Sequence, residues 1–271
     1  MLGSKSLRGL VLCSAATALC ATTPGAFAHT RFQKPEIKES PPGQEFHSTY
    51  NNEVIAHGCE DDKGGLSTPV IATSVVFPDG VDSIVSNLND SNRTPINMTV
   101  DDILQNYGNI VSAIQSDDVF NKEKLVEKET DLGNVIGFSQ FGKKKDGNIL
   151  PGTIRGLVPF TTSVILFNPD ACVQSVTFET FIADVCERTK ISEFSDKTVN
   201  LWAPAVGSDY DGAPDAHGYN SPAPLKVVRT NTPLPAGCTN PIDVRITPSA
   251  AQINRDAPIN LKSPSFNNYF A

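Results

Sequence analysis

The chain is poor in the features that announce most enzymes and membrane proteins. It has a single tryptophan, Trp202, and two methionines, of which only Met98 is internal. One internal methionine is too few for a Cu(I) site built from thioethers. No Cys-x-x-Cys occurs, which argues against a dithiol redox centre and a zinc knuckle. Gly-x-Ser-x-Gly, a Walker loop, a dinucleotide fingerprint and His-Glu-x-x-His are also missing. The acidic run Glu60-Asp61-Asp62 lacks the spacing of a calcium loop. Beyond the first thirty residues, no apolar run approaches the roughly 20 residues of a membrane-spanning helix. No internal repeat is found.

What is present begins with an export signal. Lys5 and Arg8 form a positive end, Leu10 to Leu19 a short apolar stretch, and Ala26-Phe27-Ala28 a small-x-small cleavage pattern. Cleavage after Ala28 leaves 243 residues (271 minus 28) that begin at His29. The expectation is a periplasmic or secreted protein with no membrane span after processing. Loss of Lys5 and Arg8 leaves 20 of the 22 basic residues against 30 acidic ones, a balance of −10 with His neutral. That charge disfavours nucleic acid and anionic membranes as partners and is compatible with cations. Cys13 and Cys20 leave with the signal, so Cys59, Cys172, Cys186 and Cys238 remain. An oxidising compartment favours two disulfides among them, with three pairings open.

The local pattern is mainly β. Pro69 to Phe77, Val164 to Phe167, Gln174 to Val185, Leu225 to Val228 and Val244 to Ile246 read as strands. In Gln174 to Val185, Val176, Phe178, Thr180 and Ile182 alternate with Ser175, Thr177, Glu179 and Phe181. Gly and Pro clusters such as Pro78-Asp79-Gly80 separate the runs, and the whole suggests a β-sandwich. The segment from about 87 to 129 reads as a partly helical, largely exposed insertion. Thr99 would cap one short helix there, and Asp117 to Lys128 would form a second. Lys143 to Gly147 looks like a hairpin tip, and the chain after Thr247 like a loosely ordered polar tail. Asn92-Arg93-Thr94 and Asn97-Met98-Thr99 fit a glycosylation pattern that chance also produces.

A mature N-terminal histidine has unusual chemistry. The free α-amino group and the His29 ring Nδ1 can chelate one metal ion in a six-membered ring. An α-amino pKa of roughly 7.7–8.0 lets a metal displace the proton at neutral pH. Nitrogen-rich sites of this kind suit Cu(II) best among divalent ions. His47, His57 and His217 are the other histidines. His57 stands just before the acidic loop, in Ala56-His57-Gly58-Cys59-Glu60, and His217 lies in a Gly/Pro-rich loop.

Four segments in order resemble the YcnI-like family of exported copper-binding domains. They are the terminus at His29, then Ile55 to Cys59 leading through Val70 to Pro78 and Asp79-Gly80. Phe178 to Glu187 with its Cys186-Glu187 end follows, and Trp202 precedes Pro222-Ala223-Pro224-Leu225. The resemblance implies an immunoglobulin-like sandwich over residues 29–230, interrupted at about 87–129, with 231–271 as a C-terminal extension. It implies a Cu(II) site with His29 as bidentate ligand and Trp202 close to the metal. An indole offers no lone pair, so Trp202 would shield or stack over the ion. The second ligand would come from the aligned region, from His57 or Glu60. The matched Cys59 and Cys186 would pair, leaving Cys172 with Cys238. A non-catalytic copper chaperone or copper-sequestering protein is then expected, with a membrane copper transporter or a cuproenzyme as partner. Two alternatives stand beside it: a histidine-brace copper monooxygenase, and a metal-free structural or adhesion domain in which His29 is accidental.

Overall fold

The computed structural model describes residues 30–41, 43, 48–105, 107–108, 110–113, 118–127, 134–142, 148–186, 195, 197–211 and 220–257. In chain order the first strands are β1 (Arg31–Phe32), β2 (Glu36–Lys38), β3 (Thr49–Ile55), β4 (Ala72–Val76) and β5 (Ile84–Asn87). A helical turn α1 (Val100–Ile103), β6 (Leu104–Gln105), β7 (Val111–Ala113), β8 (Lys122–Glu127) and β9 (Val135–Phe141) follow. Then come β10 (Gly156–Thr162), β11 (Leu166–Phe167), β12 (Val173–Val185), β13 (Val199–Trp202), β14 (Ala223–Val228), β15 (Ile242–Thr247) and a helix α2 (Ala250–Asp256).

Two main sheets pack face to face, as the alternating runs suggest, and β6 and β11 pair as a separate two-stranded sheet. The smaller has the order β1-β3-β10-β7, and the larger runs β2-β14-β12-β4-β9-β8, with β13, β15 and β5 attached. Rings carry the contact between the layers. Phe32 on β1 stacks on Phe77 just after β4 at 5.6 Å, and Phe160 on β10 meets Phe138 on β9 at 5.6 Å. Burying such rings is the main favourable term, each supplying on the order of 2 kcal/mol.

β12 is the hub. It pairs with β4, β13, β14 and β15. Apart from Gln174 it is buried throughout, so both of its faces are covered. Phe181, on the face opposite Phe178, packs on Tyr210 at 5.1 Å. Glu179 is neutralised by Arg93 at 3.2 Å and Arg245 at 3.1 Å.

The segment at 87–129 is woven into both sheets. Thr99 does cap α1, accepting from Asp102 N while the Asp102 carboxylate receives the Thr99 N–H. Val100, Ile103, Leu104, Ile110, Val111 and Phe120 are buried, so the expected exposure does not extend to the segment as a whole. The second helix is replaced by strand β8, which pairs along β9. Ladder bonds to a neighbouring strand outweigh the helix-favouring composition of Lys122–Glu127. The hairpin tip at 143–147 lies outside the described residues. The stretch after Thr247 is not a loose tail through residue 257. Ser249 caps α2, and the buried Gln252 donates to Phe77 O and accepts from Asp79 N. Residues 258–271 lie outside the described residues.

Two disulfides close the fold, Cys59–Cys186 and Cys172–Cys238. This is the pairing that the family resemblance implies. Two bridges fit an oxidising compartment. Among the described residues no helix is long and apolar enough to cross a membrane.

Replacing Cys59 and Cys186 by serine removes the bridge between the ends of β3 and β12. Denaturant unfolding should show a loss of about 2–5 kcal/mol. Peptide mapping under non-reducing conditions should recover Cys59 joined to Cys186, and Cys59 joined to any other cysteine would contradict the topology.

Candidate functional site

The period of two along each strand decides which polar side chains are buried between the sheets. On β3 it turns Asn51, Glu53 and Ile55 inward. On β12 it turns Val176, Phe178, Thr180, Ile182 and Asp184 to the face that meets the other sheet. In the ladder Asp184 sits between Thr73 of β4 and Asn200 of β13. Glu53 sits between Phe32 of β1 and Val158 of β10. Glu53, Thr73, Asp184 and Asn200 are all fully buried. Two carboxyl groups, one from each sheet, therefore meet in the core.

Hydroxyl groups hold them. Thr73 Oγ1 lies 2.6 Å from Glu53 Oε1 and 2.8 Å from Asp184 Oδ1. It has one proton and can donate to only one of them at a time. Thr30 Oγ1 donates to Asp184 Oδ2 at 2.5 Å. Glu53 Oε2 is buried and receives no donor from the described residues. Burying two like charges this way is costly unless one is neutralised. Desolvation and the charge of Asp184 push the Glu53 carboxyl well above its ordinary value. Burial also raises Asp184, to about 6, against the lowering effect of bonds from Thr30, Thr73 and Glu53. Both shifts favour a protonated carboxyl in the pair, that of Glu53 above all.

The Ala56-His57-Gly58-Cys59 segment lies at the end of β3. Gly58 is required by crowding: a Cβ there would stand 2.0 Å from Thr68 O and 2.5 Å from Gly152 Cα. The Gly58 carbonyl lies 2.7 Å from His57 Nδ1 and accepts from Asn200 Nδ2 at 3.3 Å. In a neutral ring, that contact puts the proton on Nδ1 and the lone pair on Nε2. His57 is half-buried. Glu60 is also half-buried but sits past the Cys59–Thr68 bridge, where its backbone carbonyl accepts from Thr68 Oγ1.

Thr30 is the first described residue and is buried at the same end of β3, since β1 runs antiparallel to that strand. Beside it opens an apolar cleft of about 590 Å³, walled by Phe32, Trp202, Pro222, Ala223 and Pro224 with Arg31 at the rim. Trp202 is 2 % exposed and forms part of this wall.

The structure therefore places Trp202 next to Thr30 and brings His57 near Asp184. His29, His47 and His217 lie outside the described residues. Among the described residues, no three His, Cys, Asp or Glu side chains form a group able to hold a metal alone. Sequence reasoning missed Glu53, Asp184, Thr30 and Thr73. Carrying the Val176-Phe178-Thr180-Ile182 alternation one step further reaches Asp184, an inward carboxylate that the pattern already contained. Comparison with protein-family models, with curated proteins and with solved structures finds no match for this chain.

A carboxyl whose pKa is raised by folding stabilises the protein while it is protonated. For Asp184 that contribution is complete below its ordinary value of 3.8 and is lost as pH rises through about 6. Asp61, Asp90 and Asp102, whose pKa values are lowered, titrate below this window. The Tm of the metal-free protein should fall by on the order of 5 °C between pH 4.5 and pH 7.5 (approximate buffer settings). Asp184→Asn should reduce that slope without abolishing it, because the raised Glu53 and Asp256 carboxyls lose stability over the same range; calorimetry showing a rise across the window in the wild type would contradict the buried-carboxyl reading.

Proposed function

We propose that this is an exported Cu(II)-binding protein, a copper chaperone or copper-sequestering protein, whose site forms at a mature terminus beginning with His29. The observation that carries the reading is the burial of Thr30 against Asp184. It sets the residue after His29 beside a buried acid pair, at the strand end that carries His57. In this reading, the amine and ring of His29 chelate the ion. Among the described residues, the Glu53 carboxyl and the His57 imidazole are the side chains at this strand end whose chemistry suits a cation. Trp202 shields the site from the cleft side. An oxygen and nitrogen donor set of this kind suits Cu(II).

The ordered resemblance to YcnI-like domains supports the same reading, and so does the lack of catalytic motifs. Copper supplies no chemistry here beyond its own binding and transfer. The protein's part is to orient the chelate, exclude water with Trp202 and Phe32, and manage one proton. Binding a dication beside the pair favours its fully ionised form, so Glu53 releases its proton and affinity rises with pH.

Isothermal titration compares the processed chain with a form extended by one methionine. The extension converts the primary amine into an amide and should weaken Cu(II) binding by at least about 100-fold, since one chelating nitrogen is lost. Equal affinity in the two forms would remove His29 from the site. Absence of tight binding by the processed chain would favour a metal-free structural domain.

A further inference from the structure

The geometry points to a peptide-binding cleft: an extended segment of a partner polypeptide, apolar at alternate residues, adds to the free edge of β1 between Phe32 and Pro224. This goes beyond the copper reading and does not depend on it.

The cleft exists because one run of chain serves both sheets. Arg31 and Phe32 belong to the smaller sheet as β1, and Glu36 to Lys38 belong to the larger one as β2. β2 lies along β14 with Glu36 opposite Lys226, and Lys226 donates its N–H to Pro35 O at 2.8 Å. The next bond of that ladder would run from the N–H of residue 35 to Pro224 O, and a proline has no N–H to give. Pairing therefore stops there. β1 and the start of β14 stand apart around the apolar space of about 590 Å³.

Main-chain groups are left facing that space. Gln33 donates to Asn52 O at 2.8 Å, so Gln33 and Asn52 form a hydrogen-bonded pair. Antiparallel ladders alternate, so Phe32 and Glu53 form a non-bonded pair, and the N–H and C=O of Phe32 point away from β3. β1 pairs with no other strand, and among the described residues nothing bonds these two groups. Pro224 lies two residues before Lys226 on β14, so its carbonyl turns to the same side. Phe32 and Pro224 both line the cleft. A donor and two acceptors set on open strand edges are what an incoming strand pairs with.

The walls suit the side chains of such a segment. Phe32, Trp202, Pro222 and Ala223 are apolar, and the volume falls in the range of binding pockets. Alternate residues of a strand point to one face, so apolar ones would fill the cleft while their neighbours face water. A small apolar molecule would fill the same space but leave the Phe32 N–H and C=O unpaired, which carries a desolvation cost.

The test uses the processed chain and acetylated, amidated peptides of about six residues. In these peptides threonine alternates with valine, leucine, isoleucine or phenylalanine. Trp202, the one tryptophan, reports filling of the cleft by its fluorescence, and NMR hydrogen exchange reports the Phe32 amide. Members of the set should bind with a Kd of about 1–100 μM, shift the Trp202 emission and slow exchange at Phe32. Methylating alternate peptide nitrogens, tried in both phases, should weaken binding about 5-fold or more in one phase, the equivalent of one hydrogen bond. Binding weaker than about 1 mM by every member would overturn the inference. Equal binding in both methylated phases, or binding that leaves Phe32 exchange unchanged, would make this an apolar ligand site and would also overturn it. Protection of Phe32 that rises with protein concentration before any peptide is added would assign the edge to a second copy of the chain instead.

Discussion

Two carboxyl groups from opposite sheets meet in the core of this sandwich, and most of the surrounding architecture is arranged around that contact. Glu53 and Asp184 are fully buried, and neither has a basic side chain bonded to it among the described residues. Hydroxyl groups and one shared proton stand in for counter-charges. Such an arrangement lowers stability relative to an apolar core of the same shape. In the proposed function, that cost is offset by a site prepared for a cation.

The covalent frame explains how the pair can be held. Cys59 follows Glu53 by six residues and Cys186 follows Asp184 by two, and the bridge between them fastens the ends of β3 and β12 together. The other three interactions at this end are equally short-range in space and long-range in sequence. Thr30 reaches Asp184, Asn200 reaches Gly58, and Phe32 reaches Phe77. Displacing one of these strands would disturb the acid pair and the first residues of the domain together. The apolar wall of Trp202 and Pro222 to Pro224 closes the same end on its outer side.

Much of this was legible before any coordinates. The mainly β class followed from short β-branched runs, and the run Gln174 to Val185 proved to be the central strand almost to its ends. Thr99 announced its helix because a capping box is local chemistry. Lys122–Glu127 misled, because what makes it a strand is its pairing with β9, which begins eight residues on at Val135, and composition does not reveal pairing. The helix α2 was hidden for a related reason: its buried Gln252 is polar and bonds the backbone of Phe77 and Asp79, just past β4. The acid pair was the largest omission. Asp184 lies one step along the Val176 to Ile182 alternation, but Glu53 looks like a solvated charge in sequence, and only the register of two sheets shows that the two meet.

In the proposed function, a cation at the terminus and a proton on Glu53 are alternatives for the same negative charge. Infrared difference spectroscopy on the processed chain at neutral pH, before and after Cu(II), tests this most directly. The account predicts a protonated-carboxyl C=O band without metal, missing in Glu53→Gln, that disappears when copper binds. A metal-free protein without that band, or a band untouched by bound copper, would contradict it.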